Sequence, residues 1–393
     1  MGNFQQSIFS WIENFSINSV IMLAMMIFML VGAVDRIRGN PLGYGEKFEE
    51  GFHAIGALAL SMAGVVAAAP VLSRVLGPVV TPFYRFLGAD PAMFAGTLLA
   101  CDMGGYNLAL ELTEDPAVAR FSGLILGTTL GPTVVFTIPV ALSVLNREDT
   151  PYLGAGVLAG LITIPLGCLA GGLAMSSMTR YTLTLGQMLL NLLPVLLIAG
   201  LIVAGLWLAP AKMIRGFQIF GREVTAVVTV LTAIAVFQQI TGILLPVFDV
   251  MVMPGETGLT PLDLGLLTCG QIGIVLIGAF PMIEWITRTF GTALRGLGKS
   301  LGINPSASSG LIATLANSIP TFQLIGDMDP RGKLLNMAFA VSGSFVFGDH
   351  LGFTAGVDQS MVVPVIIGKL TAAVTAVITA SILAPGLLSR LKA

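Results

Sequence analysis

The sequence predicts an all-α, polytopic helical membrane protein with two inverted-topology repeats, each containing a broken or re-entrant helical hairpin. Three observations support this fold class. The 393 residues are 55% hydrophobic and 10% charged, whereas soluble domains average about 25% charged residues, and the mean hydropathy is +0.91. Several apolar runs approach or exceed the ~20 residues that cross ~30 Å of hydrocarbon. The elements of the first half also recur, in order, in the second half.

Nine apolar segments have the length and composition of membrane spans. A segment at residues 4–15, with Trp11, precedes them and is typical of a helix that lies at the membrane interface. The predicted spans are residues 17–34, 52–72, 118–145, 152–175, 187–208, 223–247, 263–285, 333–356 and 361–388.

Two further apolar segments are interrupted by helix breakers. Residues 91–112 contain the run TLLACDMGGYN, in which two glycines follow Asp102. Residues 305–325 contain the run IATLANSIPTF, in which Asn317 takes the corresponding place and Pro320 breaks the helix. Short interrupted segments in matching positions of two halves are the sequence pattern of a transporter binding site.

The two halves match element by element. Corresponding elements start at 17 and 223, 52 and 263, 91 and 305, 118 and 333, and 152 and 361, so the offset stays between 206 and 215 residues. This regularity predicts an internal repeat, with residues 1–186 as the first repeat, 187–208 as a linking span and 209–393 as the second repeat. Because one unpaired span joins two units of four crossings, the second unit is predicted to enter the membrane from the opposite side.

The distribution of basic residues separates re-entrant hairpins from full crossings. If both broken segments are re-entrant, 14 Lys and Arg residues lie on one side, 4 lie on the other, and Lys369 lies within the membrane. If both segments cross, the split is 9 to 9. Cytoplasmic loops carry the excess of basic residues. The sequence therefore predicts one hairpin entering from outside, one entering from the cytoplasm, and a cytoplasmic C-terminus.

Charged side chains are rare within the predicted spans, so those present are candidates for binding a solute. Asp102, at the tip of the first hairpin, is predicted to bind a cation, with a structural hydrogen-bond acceptor as the alternative. Asn317 can donate and accept hydrogen bonds, so it is a candidate for a ligand hydroxyl or, alternatively, a turn residue. The predicted gate residues at the two tips are Met103, Gly104, Gly105, Ser318 and Pro320.

The eighth predicted span holds two adjacent ionisable residues. Asp349 is a candidate cation ligand or a partner of Lys369, and His350 is a ligand contact, a proton relay or a satisfied interior histidine. On a helix the two side chains point about 100° apart, so they do not both face one small ligand squarely. Phe345 and Tyr106 can offer ring faces to an ammonium, a contact worth ~2 kcal/mol when desolvated, or can serve packing alone.

Other functional classes have little support. The net charge of -2 gives no basic surface for nucleic acid, and the three cysteines lack the C-x-x-C spacing of a metal site. The stretch ALRGLGKS at residues 293–300 lacks the first glycine and the preceding strand of a phosphate loop. No H-E-x-x-H or G-x-S-x-G motif is present. The sequence therefore predicts no enzyme, no cofactor, no resident metal and no nucleic-acid partner.

Four stretches resemble the EutH family of bacterial ethanolamine transporters. They are TLLACDMGGY at 97–106, ATLANSIP at 313–320, GDHLGF at 348–353 and FEEGF at 48–52, and the resemblance extends over nearly the whole chain. It implies a permease of the bacterial cytoplasmic (inner) membrane that brings ethanolamine to the ethanolamine-utilisation pathway. The resemblance is used for no residue role, so the candidate site residues rest on the sequence pattern alone.

Ethanolamine is a small cation at neutral pH with one hydroxyl, which matches the carboxylates, aromatic rings and amide named above. We expect alternating access with the two hairpins as opposed gates, driven by a membrane potential worth about 2.3 kcal/mol per charge per 100 mV. The alternatives are transport of another small amine, proton-coupled symport through Asp349 and His350, and a non-transporting amine sensor or scaffold. Membrane lipids and a second copy of the chain, in a homodimer, are the expected partners.

Overall fold

The computed structural model describes residues 2–13, 15–255 and 258–391, and its regular elements within these ranges are all helical. Lys392, one of the basic residues assigned to the cytoplasmic side, lies outside the described residues. The helices of the first half are α1 (Gly2–Glu13), α2 (Ile17–Ile37), α3 (Tyr44–Leu58), α4 (Gly64–Phe86), α5 (Met93–Leu98), α6 (Gly105–Leu112), α7 (Pro116–Arg120), α8 (Leu130–Pro132), α9 (Ile138–Val144), α10 (Thr150–Leu161) and α11 (Ile164–Met178). The remaining helices are α12 (Leu185–Leu208), α13 (Pro210–Thr241), α14 (Pro261–Leu301), α15 (Pro305–Ala316), α16 (Ser318–Leu324), α17 (Pro330–Gly343), α18 (Asp349–Val357) and α19 (Val362–Leu391).

Candidate membrane spans occur at eight of the nine predicted positions within the described residues. Six are continuous, and these are Ile17–Ile37, Tyr44–Phe86, Leu185–Leu208, Ala211–Thr241, Pro261–Gly291 and Gln359–Ser389. Two are bent pairs, Pro116–Thr128 with Leu130–Val144 and Thr150–Leu161 with Ile164–Met178, which turn by 40° and 41°. The predicted class, an all-α polytopic membrane protein, is confirmed.

The eighth predicted span, residues 333–356, is not a continuous helix. α17 ends at Gly343, α18 begins at Asp349, and Phe345 between them has a left-handed φ of +63°. Hydropathy does not reveal this break, because the residues around it are apolar and mostly buried. Irregular backbone at this depth is tolerated where it is enclosed in protein.

The first broken segment folds back as a hairpin, which we call hairpin 1 (residues 90–113). Its arms, α5 and α6, have 6 and 8 residues, so they rise only about 9 and 12 Å and are too short to cross the hydrocarbon. At the base, Thr113 Oγ1 donates a hydrogen bond of 2.8 Å to Asp90 Oδ2. Gly131 of the neighbouring bent span lets the hairpin approach closely, since a Cβ there would lie 2.0 Å from the carbonyl oxygen of Leu99.

The second broken segment also folds back, and we call it hairpin 2 (residues 304–327). Its arms, α15 and α16, run antiparallel, because Thr321 Oγ1 donates to the carbonyl oxygen of Gly310 at 2.8 Å. At the base, Asn304 Nδ2 donates to the carbonyl oxygen of Asp327 at 2.8 Å. Each hairpin therefore begins and ends on one face of the helix bundle.

Contacts between distant parts of the chain place the two hairpin bases on opposite faces of the bundle. Beside hairpin 1, Arg120 pairs with Asp358 at 2.7 Å. Beside hairpin 2, Lys333 pairs with Asp149 at 2.5 Å. The bent span of α7 to α9 connects Arg120 to the loop before Asp149, so these two contacts mark opposite ends of the bundle. This placement is consistent with an inverted repeat, and the repeat boundaries stay a prediction.

Candidate functional site

A small cavity of about 50 Å³ lies between the tip of hairpin 1 and the break that separates α17 from α18. Because one bound water needs ~10–15 Å³, the cavity has space for roughly four non-hydrogen atoms. It brings together five residues that the sequence analysis selected, which are Asp102, Met103, Phe345, Asp349 and His350. The other lining residues are Ala100, Pro132 and Phe136.

The backbone of the hairpin 1 tip fixes the position of Asp102. After α5 ends at Leu98, a 3₁₀ turn at Cys101–Met103 carries the carboxylate. Gly104 follows with φ +85°, and a Cβ there would lie 2.0 Å from Cγ1 of Val65. Glycine is therefore required both by the left-handed conformation and by the available space. The turn leaves Asp102 partly exposed, and its carboxylate borders the cavity.

The break after α17 supplies the opposite wall. The ring of Phe345 lies 5.2 Å from that of His350 and 5.4 Å from that of Phe136, measured between centroids. A positive φ is uncommon for a bulky residue such as Phe345, and strained backbone of this kind clusters at functional sites. Asp349 occupies the first turn of α18, where the positive end of the helix dipole stabilises a carboxylate.

Hairpin 2 holds this break through its backbone. The amide of Phe345 donates to the carbonyl oxygen of Thr314 at 3.2 Å, and the amide of Phe347 donates to that of Leu315 at 2.9 Å. Two backbone hydrogen bonds therefore link hairpin 2 to the segment whose Phe345 ring borders the cavity.

Lys369 on α19 is 1% exposed. Its Nζ lies 3.1 Å from Nδ1 of His350 and also donates to the carbonyl oxygen of Thr128. The sequence analysis placed Lys369 within the membrane but offered Asp349 as its partner. The side chain that it contacts is instead the adjacent His350, because α18 directs the imidazole toward α19.

Asn317 and Tyr106 do not line the cavity. Asn317 caps α16, with its Oδ1 accepting from the amide of Ile319 at 2.9 Å, which is the turn alternative for this residue. Tyr106 packs edge-to-face on Phe353, with centroids 6.0 Å apart. A role in ligand binding stays a prediction for both residues.

The remaining predicted gate residues occupy the two hairpin tips. Gly105 is buried and begins α6, and its amide donates to the carbonyl oxygen of Ala100 at 3.0 Å. Ser318 is fully buried, and its Oγ has no hydrogen-bond partner among the described residues. Pro320 is exposed. Whether these residues act as gates stays a prediction.

A larger cavity, of about 930 Å³, opens at the base of hairpin 1. Its lining includes one guanidinium, that of Arg85, and four carboxylates, which belong to Asp90, Glu111, Glu114 and Asp115. A cleft lined mainly by one sign of charge concentrates ions of the opposite sign. This face of the bundle therefore attracts small cations toward hairpin 1.

Three groups near the small cavity have the chemistry of metal ligands. Cys101, Asp102 and His350 offer ligand atoms that all lie within 4.8 Å of one another. However, the ammonium of Lys369 lies 3.1 Å from Nδ1 of His350 and so places a positive charge beside this donor set. Like charge disfavours a divalent ion there.

Sequence reasoning did not select three of the cavity residues, Ala100, Pro132 and Phe136. Pro132 follows the break in the bent span, where a proline is a visible signal. Phe136 is one of 22 phenylalanines, and nothing in the local sequence distinguishes it from the others. Its place in the wall depends on the bend that aims it at Phe345.

Partly buried carboxylates at breaks between short helices, together with hairpins that enter a bundle from opposite faces, define a polytopic membrane protein of the transporter class. The chain belongs to the EutH family, because residues 17–383 match the family described as "Ethanolamine utilisation protein, EutH".

Three relatives support this assignment. A "Probable ethanolamine permease EutH" of Listeria monocytogenes is 49% identical over 378 residues, which cover 96% of this chain and 97% of the relative. Proteins of the same name from Salmonella typhimurium and Escherichia coli K12 are each 48% identical over 396 residues, covering 94% of this chain and 96% of the relative. No solved structure matches the chain.

Proposed function

We propose that this protein is a permease that takes up ethanolamine across the bacterial cytoplasmic membrane. The observation that carries the proposal is the cavity between hairpin 1 and α18, in which Asp102, Asp349 and Phe345 face a space of about 50 Å³. The permease names of relatives nearly half identical in sequence support the same conclusion.

The cavity suits ethanolamine by size and by charge. Ethanolamine has four non-hydrogen atoms, which matches the roughly four that the cavity accommodates. Its ammonium is placed between the carboxylates of Asp102 and Asp349, where charge-assisted hydrogen bonds are strong. The ring of Phe345 adds a cation–π contact. The hydroxyl of ethanolamine is left for a neighbouring polar group. Asn317 can bind it in a state of the protein in which hairpin 2 has moved.

Transport proceeds by alternating access, with each hairpin as the gate of its own face. The repeats at 1–186 and 209–393, joined by the span at 187–208, supply two matching units that move against each other around the site. Hairpin 2 reaches the site through the backbone bonds to Phe345, so its opening changes the cavity directly. The chain carries out no covalent chemistry in this mechanism.

The membrane potential drives uptake of the cation without a coupling ion, at about 2.3 kcal/mol per charge per 100 mV. The second candidate mechanism is proton-coupled symport, which the presence of both Asp349 and His350 in the cavity wall favours. The two mechanisms differ in the number of charges moved per ethanolamine, which is one for uniport and two for proton symport. They also differ in their response to a pH gradient, which drives uptake only in proton symport.

The test is uptake of labelled ethanolamine into liposomes that contain the purified protein, with the potential clamped by potassium and valinomycin. We expect wild-type uptake to follow the imposed potential. In Asp102→Asn the loss of a charged partner, worth about 1.5–3 kcal/mol, weakens ethanolamine binding about 10- to 150-fold. Wild-type protein that shows no uptake under any gradient contradicts the proposal, and full affinity in Asp102→Asn assigns the ammonium to Asp349.

We further propose that the base of hairpin 1 faces the outside and that the C-terminus is cytoplasmic, as the distribution of basic residues indicates. Cysteines introduced at the exposed positions Glu114 and Glu148, on opposite faces, test this orientation. The three native cysteines are buried, so they give little background. A membrane-impermeant maleimide applied to intact cells is expected to label Glu114→Cys and not Glu148→Cys, and the reverse pattern contradicts the orientation. The homodimer is a separate proposal, and its test is the mass of the protein in detergent.

A further inference from the structure

We infer that Lys369 is a resident cation of the transport site, a tethered ammonium that limits the protein to one ligand cation per cycle. This inference rests on the proposed function and deepens it, because it gives a structural reason for uptake without a coupling ion. Two observations support it, which are the hydrogen bonds of the backbone around the break at Thr129 and the charges that lie near Lys369.

The bent span formed by Pro116–Thr128 and Leu130–Val144 is broken at Thr129. Side chains donate hydrogen bonds to backbone carbonyl groups around this break. Thr129 Oγ1 donates to the carbonyl oxygen of Ile125 at 3.2 Å and shares that of Leu126, at 3.0 Å, with its own backbone amide. Thr133 Oγ1 donates to that of Thr129 at 2.8 Å. The carbonyl oxygen of Thr128 accepts instead from the ammonium of Lys369. At breaks of this kind in transporters, unwound carbonyls commonly coordinate a sodium ion or a proton donor. Here the chain supplies the cation itself.

The imidazole of His350 offers this ammonium a second acceptor. Nδ1 of His350 lies 3.1 Å from Nζ of Lys369. An ammonium has donors and no acceptor, so it requires a lone pair on Nδ1 and therefore a neutral imidazole. His350 then adds no charge, and Lys369 supplies the positive charge of this pair.

Five other titratable groups of the described residues act on this centre, and one of them, Glu50, pairs with Lys47 at 2.6 Å and so adds no net charge. Cys101 and Asp102 at the hairpin 1 tip are within electrostatic range of Lys369. Asp349 on α18 borders the same cavity as Asp102. Cys168 on α11 contacts Thr129 with its thiol at 3.8 Å. With Asp102 and Asp349 ionised and both thiols neutral, these two carboxylates and Lys369 leave one net negative charge.

That balance sets the number of ligand cations. An unpaired buried charge costs several kcal/mol, so the site closes most readily when its charges cancel. One monovalent ammonium cancels the single net negative charge, and a second cation is not required. If Lys369 is replaced by a neutral residue, two negative charges remain and a sodium ion or a proton has to accompany ethanolamine.

The experiment measures the charge moved per labelled ethanolamine in liposomes for wild type, Lys369→Met, Lys369→Arg and the double variant Lys369→Met with Asp349→Asn. Sodium is titrated against N-methyl-D-glucamine at fixed pH, and pH is varied without sodium. We expect a ratio of one for wild type and Lys369→Arg. In Lys369→Met the ratio rises to two, and uptake increases at least tenfold with sodium or with acidification. In the double variant the ratio returns to one.

A binding readout keeps the inference testable if Lys369→Met folds but does not transport. Sodium or protons are then expected to raise the unfolding temperature of Lys369→Met and to strengthen its ethanolamine binding at least tenfold, with neither effect in wild type or Lys369→Arg. Equal responses in Lys369→Met and wild type overturn the inference, as does a wild-type ratio of two. Failure of the proposed function can be distinguished from failure of this inference. If the wild type takes up no ethanolamine, the effects of sodium and pH on the unfolding temperatures of wild type and Lys369→Met can still be compared.

Discussion

Phe345 shows at the scale of one residue how strain and recognition are combined. Its φ of +63° is unfavourable for a bulky side chain, and the hydrogen bond from its amide to hairpin 2 holds it there. The consequence is that its ring is 5% exposed and borders the cavity beside Asp349. If residue 345 belonged to a regular helix, its side chain would point in a different direction and would not border the cavity.

Replacing Phe345 with leucine is expected to weaken ethanolamine binding by roughly ten- to thirtyfold. The physical reason is the loss of a desolvated cation–π contact of about 2 kcal/mol, where 1.4 kcal/mol corresponds to a factor of ten. Equilibrium binding of labelled ethanolamine to purified protein measures the effect. Phe353→Leu is the matched control, since Phe353 is fully buried and does not line the cavity. Equal losses in both variants would assign the effect of Phe345→Leu to packing.

At the scale of the element, the tip of hairpin 1 is held in place by close packing against its neighbours. The turn that carries Asp102 packs against the π-helical segment Ala59–Ala63 and against α18. Gly104 also packs closely against Val65 of α4, so the tip is held by close packing as well as by hydrogen bonds. A rigid tip preorganises the carboxylate and lowers the cost of binding.

Gly104→Ala is expected to abolish most uptake while the protein remains folded. The added Cβ would overlap Val65 and require a left-handed alanine, which costs roughly 1–2 kcal/mol for the backbone alone, so the tip and Asp102 are displaced. Gly200→Ala is the control, because a Cβ at Gly200 meets nothing within 4 Å. Uptake in liposomes and the elution profile in detergent are compared, and wild-type uptake in Gly104→Ala would contradict the assignment of the tip.

For the whole molecule, an ion pair on the hairpin 1 face joins two bundle elements that are far apart in the sequence. Nε of Arg120 donates to Asp358 Oδ2 at 2.7 Å, with side-chain exposures of 14% and 11%. Burial by itself raises the pKa of Asp358, but hydrogen bonds from Ser360 and Arg120 outweigh it, so this pKa lies below its usual value. The stabilisation is present above the ordinary Asp pKa of about 3.9 and is lost as the pH falls further, through the lowered pKa.

Asp358→Asn is therefore expected to lower the free energy of unfolding near neutral pH by about 2 kcal/mol and to make the loss of stability below about pH 4 shallower. Unfolding in mixed micelles as a function of pH measures both effects. Glu50→Gln is the control, because the Lys47–Glu50 pair is 35% and 52% exposed and such pairs contribute ~0–1 kcal/mol. Identical pH profiles for wild type and Asp358→Asn would show that Asp358 is not the titrating group.

The sequence by itself determined the membrane class, because apolar length depends only on composition along the chain. It also located the two broken segments and Asp102, since a carboxylate and adjacent glycines are conspicuous in apolar sequence. The same local rules could not show the break at residues 344–348, where hydrogen bonds from hairpin 2 replace those of a helix.

Only the tertiary structure decided which groups meet. Asp102 and Asp349 are far apart in the chain, and their approach depends on the packing of hairpin 1 against α18. The same packing excluded Tyr106 from the cavity wall and included Phe136, although both are aromatic residues in apolar sequence. The pairing of Lys369 with His350 rather than Asp349 follows from a rotation of about 100° between successive residues of α18. Which of the two side chains faces α19 depends on how α18 is turned about its own axis, and contacts between elements set that turn, which the spacing of residues along the chain does not encode.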